Sequence, residues 1–319
     1  MRRLVILCLV VLTGLGPASA QTSRVHRLAV LAASAHGLDF VRTVTLPELE
    51  KLGYRQGQNL VVEMRAGPPA ELTDLARALV ASSPSVIVAL DGASVTAARH
   101  ETSTTPIVMF GADPVELGFA QSLARPASNI TGLVILAAEL DAKRLELLHG
   151  ALPSRLPVAA LVDVSAPGVE ERHRRVSDVA AQIGFALSVV GAGGPNDYSD
   201  AFAGIHAAGA RALAIGASPQ FARDGARLAA LALERQLPTI CQWREMAEQG
   251  CLLSYGPSRP DLFRRTASFV ARLLNGASPG EMPIEQPTNF ELVVNLKTAK
   301  TLGMDLSPTL LARADVVIE

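Results

Sequence analysis

Residues 106–118 read PIVMFGADPVELG. The apolar run Ile107–Phe110 ends at Gly111, and Ala112, Asp113 and Pro114 follow. A short run with no polar member fits a strand covered on both faces, as in a parallel sheet sandwiched between helices. Asp113 followed by Pro114 has the pattern of a helix N-cap with proline in the first turn, where a missing N–H does no harm. The carboxyl ends of such strands are also where open parallel sheets bind ligands. A carboxylate has two oxygens, so Asp113 is able to cap with one and meet a ligand ammonium with the other.

The same unit recurs on both sides of this stretch. RLAVLAA (27–33), NLVVEM (59–64) and SVIVAL (85–90) are apolar runs that alternate with helical spacing, for example Leu72, Leu75, Ala76 and Leu79. The pattern restarts near Pro157 with PVAALV (157–162), ALSVV (186–190), RALAIG (211–216), LPTIC (237–241) and CLLSY (251–255). Strands alternating with amphipathic helices predict an α/β protein of two doubly wound parallel-sheet lobes. Asn129–Pro153 is expected to carry the crossing between halves and a helix around Leu140–His149. After Tyr255 comes a long amphipathic helix with Leu262, Phe269, Val270 and Leu273 on one face, then a strand FELVVN (290–295) and a helix closed by Gly303. These last elements are expected to return to the first half and make a multi-strand hinge. The expected division is residues 21–135 as lobe 1 with 257–290 returning to it. Lobe 2 is then 136–256, with 291–319 near the hinge.

Arg2 and Arg3, the apolar run Leu4–Leu15 and Ala18-Ser19-Ala20 have the pattern of a cleaved export signal over residues 1–20. The run is shorter than the roughly twenty residues a membrane span needs. Removing it leaves 319 − 20 = 299 residues, enough for two domains of about 150 each. Without Arg2 and Arg3 there are 29 − 2 = 27 basic against 30 acidic residues. A charge of −3 gives no electrostatic case for nucleic acid. The 49% hydrophobic share suits packed cores. Cys241 and Cys251 remain, either as a disulfide or as two buried thiols; their geometry decides which.

Residues just beyond the strands are the candidate ligand contacts. They are Ser34; Asp91, Gly92, Ala93 and Ser94; Ala112 and Asp113; Asp163; Ser218; Trp243 and Glu245; and Tyr255. Small residues at 92–94 would let backbone N–H groups approach a ligand carboxylate at a helix N-terminus, or simply make a tight turn. Ser218-Pro219 repeats the Asp113-Pro114 device. His36 follows the first strand and has no nucleophile partner, so a ligand contact or a loop residue suits it better than a catalytic base. There is no phosphate loop, no H-E-x-x-H and no G-x-S-x-G elbow. No catalysis, cofactor or metal is expected.

ADPVELGFAQSLARPASNITGL, LDAKRLELL, SYGPSRPDLFRR, PIEQPTNFELVVNLKTAKTLG and LARADVVIE resemble the bacterial ABC-transporter substrate-binding protein family that includes tryptophan- and tyrosine-type binding proteins. The resemblance runs from about Arg27 to the last residue. It implies a type I periplasmic binding-protein fold, a small-molecule ligand closed between two lobes, and delivery to an inner-membrane permease by a monomer in the periplasm. Asp113-Pro114-Val115, Arg244-Glu245 and Ser254-Tyr255-Gly256 match the family pattern. Glu116, Asp163 and Ser218 depart from it, at positions where the resemblance implies pocket-lining residues. The expected ligand is a small zwitterion, an amino acid or a derivative. Aromatic residues, at 4%, are few for stacking sugars. The rival readings are an exported sensor domain and an enzyme on the same scaffold; no nucleophile–base pair supports the latter.

Overall fold

Among the described residues, twelve strands form two sheets. In chain order they are β1 (His26–Ala32), β2 (Leu60–Ala66), β3 (Val86–Ala89), β4 (Ile107–Gly111), β5 (Ile130–Val134), β6 (Val158–Asp163), β7 (Leu187–Ala192), β8 (Ala212–Ile215), β9 (Thr239–Cys241), β10 (Leu253–Pro257), β11 (Phe290–Asn295) and β12 (Val316–Ile318). The computed structural model describes residues 25–319 apart from 112, 116, 136, 153–155 and 166–168. The expected export signal over 1–20 therefore lies outside the described residues, as do Ala112 and Glu116. Among the described residues, no helix is long and apolar enough to cross a membrane.

The first sheet is wholly parallel in the order β2-β1-β3-β4-β5. The second begins with the same order, β7-β6-β8-β9-β10, again parallel. β11 then adds antiparallel to β10, and β12 parallel to β11. β3, β6 and β8 are buried along their whole length, as runs without alternation demand. Each fully buried Val, Leu or Ile in them contributes about 1.5–3 kcal/mol relative to exposure.

One strand is added and one expectation is corrected. Residues 130–134 are a fifth strand of the first sheet, paired with β4, before the chain crosses. The strand 290–295 joins the second sheet and does not return to the first half. What does return is the helix Arg259–Leu274. Its Phe263 packs on Phe110 (4.8 Å between ring centroids) and Phe40 (5.2 Å), and the Phe263 carbonyl accepts a hydrogen bond from Thr45 Oγ1. The segment after it runs along the β5 edge. Glu285 N–H donates to the Gly132 carbonyl and Val134 N–H to the Glu285 carbonyl.

The chain thus passes between sheets three times: after β5, after β10 and before β11. Arg144 anchors the crossing region. Only 1% exposed, it bonds Asp141 on its own helix (Ala137–Ala151) and donates from Nε to the Tyr255 carbonyl at 2.7 Å. The hinge-side strand β10 is thereby fastened to the first crossing.

Candidate ligand-binding cleft

The carboxyl ends of the strands carry two acids that look like ligand contacts in sequence and are largely occupied in the fold. Asp91 caps the helix Gly92–Glu101. Its Oδ1 accepts from Ser94 N–H (2.8 Å), and its Oδ2 from Ala33 N–H (2.7 Å) and Ser94 Oγ (2.9 Å). Ala33 follows β1, so Asp91 staples the end of β3 to the end of β1. Burial pushes its carboxyl above the ordinary range, against the pull of those donors. In the second lobe Asp163, at the end of β6, accepts from Ser165 N–H and Oγ on one oxygen and from Ser218 Oγ on the other. Ser218 follows β8 and itself accepts from Gln220 N–H as a helix cap. Since β6 and β8 occupy the sheet positions of β1 and β3, each lobe ties the same two strand ends through one carboxylate, to the Ala33 N–H in the first lobe and to Ser218 Oγ in the second.

The remaining predicted positions spread around the two rims. Ser34, Gly92 and Ala93 are half-buried after β1 and β3; Ser94 is fully buried beneath Asp91. Asp113 does not start a helix. The described residues from 114 to 118 form turns, and Asp113 Oδ1 accepts from Val115 N–H at 2.8 Å. Gly118, at φ +71°, ends the turn before a helix propagates. Ser254, Tyr255 and Gly256 lie inside β10 and not beyond it. The Tyr255 ring stacks on Phe290. Cys241 and Cys251 are free, buried thiols, and Cys241 donates to the Leu253 carbonyl at 3.3 Å. Among the described residues no group of His, Cys, Asp and Glu is arranged to hold a metal.

Sequence reasoning missed the residue on which the two lobes converge. Arg259, at the start of the helix Arg259–Leu274, is 7% exposed. Its guanidinium lies 4.2 Å from the centroid of Trp243, which follows β9, and 4.9 Å from Phe40, in the helical stretch after β1. Such stacking suits the flat, weakly hydrated guanidinium. Its Nη1 donates to His36 Nε2 at 3.2 Å. Arginine has only donors, so His36 must be the neutral acceptor. Burial, and then the Arg259 charge, hold the His36 pKa below its ordinary value. Burial also pulls Arg259 down to about 10, with Glu245 pushing it back up, so the cation persists at neutral pH. Among the described residues no carboxylate lies within ion-pairing distance of it. One sequence signal was available. A cation in the first turn of a long helix opposes the helix dipole, and such local conflicts mark sites.

Arg259 and Glu245 line one cavity of about 260 Å³, together with Arg244, Glu248, Gly256 and Glu291. Glu245 Oε2 is buried there with no hydrogen-bond partner. Gly256 keeps the floor low, because an added Cβ would sit 2.2 Å from the Gln242 carbonyl oxygen.

Residues 28–318 match the family described as ABC transporter substrate binding protein. The chain belongs to that family. A tyrosine-binding protein from Clostridioides difficile is 23% identical over 270 residues, covering 84% of this chain and 77% of the relative. Among solved structures, a conserved domain protein from Vibrio cholerae superposes with a TM-score of 0.86 at 25% identity, covering 92% of this chain and all of the other. An ABC domain from Streptococcus pneumonia, solved in complex with L-Trp, gives 0.83 at 20% identity with the same coverage. The paired sheets form the type I periplasmic binding-protein fold. Members of this family are substrate-binding proteins.

Proposed function

We propose that this protein is the exported receptor of an ABC importer, taking a small zwitterionic solute, an amino acid or a derivative, into the cleft between its lobes. The observation that carries the reading is Arg259: a buried cation with no carboxylate in ion-pairing distance among the described residues, covered by Phe40 from one lobe and Trp243 from the other. A guanidinium in that setting is stabilised by an incoming carboxylate, which it meets in a bidentate fork. A ligand that touches both rims only when they are together shifts an open–closed equilibrium toward closure. The relatives named for tyrosine and solved with L-Trp support an amino acid as cargo. Asp113, Trp243 and Glu245, with the backbone at Ser34 and residues 92–94, are the proposed contacts from the strand ends. The closed complex is then presented, as a monomer, to a permease in the inner membrane.

Native mass spectrometry of the protein purified from its own periplasm tests the reading. The expected result is a polypeptide starting at Gln21 that carries a retained amino-acid-sized ligand, together with a smaller radius of gyration when the isolated protein is saturated. Retention of Met1–Ala20, or the absence of binding to any of the twenty common amino acids in titration calorimetry, would overturn it.

A further inference from the structure

We infer that Arg259 and Glu245 form a divided charge pair that reads the two ends of an α-amino acid headgroup, Arg259 holding the carboxylate and Glu245 the ammonium. This rests on the functional reading above and adds the residues and the chemical selectivity. Five charged residues line one cavity, and two of opposite sign, Arg259 and Glu245, sense each other electrostatically, since Glu245 is the group that supports the protonated form of Arg259. Yet they do not come within ion-pairing distance. Each is left incomplete. Arg259 has a single hydrogen bond, to His36, and Glu245 Oε2 is buried with none.

Buried charges are retained when paired and fully hydrogen-bonded, and an unmade bond in a buried polar group is costly. A pair held apart in this way is completed by a molecule that carries the complementary charges a short distance apart. An α-amino acid does so, with its carboxylate and ammonium on adjacent carbons. Of the neighbouring charges, Glu291 is a further carboxylate in the lining, and the rest are engaged. Arg244 is already bonded to Glu248 at 2.9 Å, and His36 is a neutral acceptor turned to Arg259. Trp243 and Phe40 cover the guanidinium face, so its N–H edge is the part left for a ligand.

The site therefore selects for both ends of the headgroup at once and is indifferent to replacement of one end only if the matching residue is also removed. The experiment is a calorimetric matrix. Wild type is first titrated with the twenty common L-amino acids, and the tightest binder is kept. Its decarboxylated amine and its deaminated acid are then titrated against wild type, Arg259→Gln, Glu245→Gln and Asp113→Asn, each confirmed folded by circular dichroism. Wild type should lose about tenfold or more for either analogue, as expected for a desolvated charge partner. Glu245→Gln should weaken the amino acid by a similar factor and leave the deaminated acid unchanged; Arg259→Gln should do the same with the amine. The wild-type analogue data need no substitution, so a misfolded variant does not remove the test. If wild type binds no amino acid, the functional reading fails and this assignment falls with it. If wild type binds one, but Glu245→Gln and Arg259→Gln bind it as tightly while Asp113→Asn does not, the cleft reading stands and the divided pair is refuted.

Discussion

Asp91→Ala separates a staple from a ligand contact. In the folded protein the Asp91 carboxylate accepts three hydrogen bonds, from Ala33 N–H, Ser94 N–H and Ser94 Oγ. Losing the cap on the helix Gly92–Glu101 costs about 0.5–2 kcal/mol. Leaving the Ala33 N–H without its acceptor adds about 1–3 kcal/mol. Relief of the buried charge offsets part of this, so a net loss of about 2–3 kcal/mol is expected, or roughly 4–8 °C in melting temperature for a chain of this size. The pH dependence has a definite sign. Burial raises the folded pKa of Asp91 above its unfolded value, so its stabilising contribution is fully present below the unfolded pKa and declines as pH rises through the folded one. The gap in melting temperature between wild type and Asp91→Ala should therefore widen from pH 7 to pH 4. Differential scanning calorimetry at several pH values gives the stability, and titration with the tightest-binding amino acid gives the affinity, expected within about threefold of wild type. An unchanged melting temperature with a tenfold loss of affinity would mean that Asp91 faces the ligand and that the staple is misread.

Asp113→Asn should barely change thermal stability, since an amide oxygen still accepts from Val115 N–H in a turn that carries no helix. Its effect on amino-acid affinity decides whether the acid contacts cargo. Cys241 and Cys251 should resist iodoacetamide in the native protein and react fully in denaturant, because both thiols are buried and burial pushes Cys241 well above the ordinary thiol range; a disulfide-linked peptide in non-reducing mass spectrometry would contradict the free thiols. Gly256→Ala drives a methyl to 2.2 Å from a main-chain oxygen, so β10 must shift. A loss of about 1–3 kcal/mol, as for overpacking, is expected in urea melts, together with weaker binding at the adjoining cavity.

Much of this fold is legible in the sequence because strands buried on both faces leave runs that alternation cannot explain, as at 86–89, 107–110 and 158–162. β5 was harder to see. Its run is interrupted by Gly132, which sits at φ +132° where an added Cβ would strike the Met109 backbone, so the glycine that reads as a break is what allows close pairing. Periodicity marks the strand 290–295 but is silent on its partner, and a strand alone does not say which sheet edge is open. The acids show the same limit. Asp91, Asp113 and Asp163 all stand at strand ends in sequence, but only the fold shows that Asp91 and Asp163 each accept three hydrogen bonds. Arg259 lies in a segment read as a plain amphipathic helix. Its significance rests on Phe40 and Trp243, more than two hundred positions apart in the chain and adjacent only when both lobes are built.

The return of the helix Arg259–Leu274 to the first sheet also sets a timetable for synthesis. Phe110 is made 263 − 110 = 153 residues before Phe263, the side chain that covers it. At roughly 5–20 residues per second, the ribosome takes about 8–30 s to supply that cover. Until then the nascent first lobe has every strand of its sheet and lacks one of its walls, with Phe40 and Phe110 facing water. The first lobe therefore gains its last wall only when most of the chain has been made.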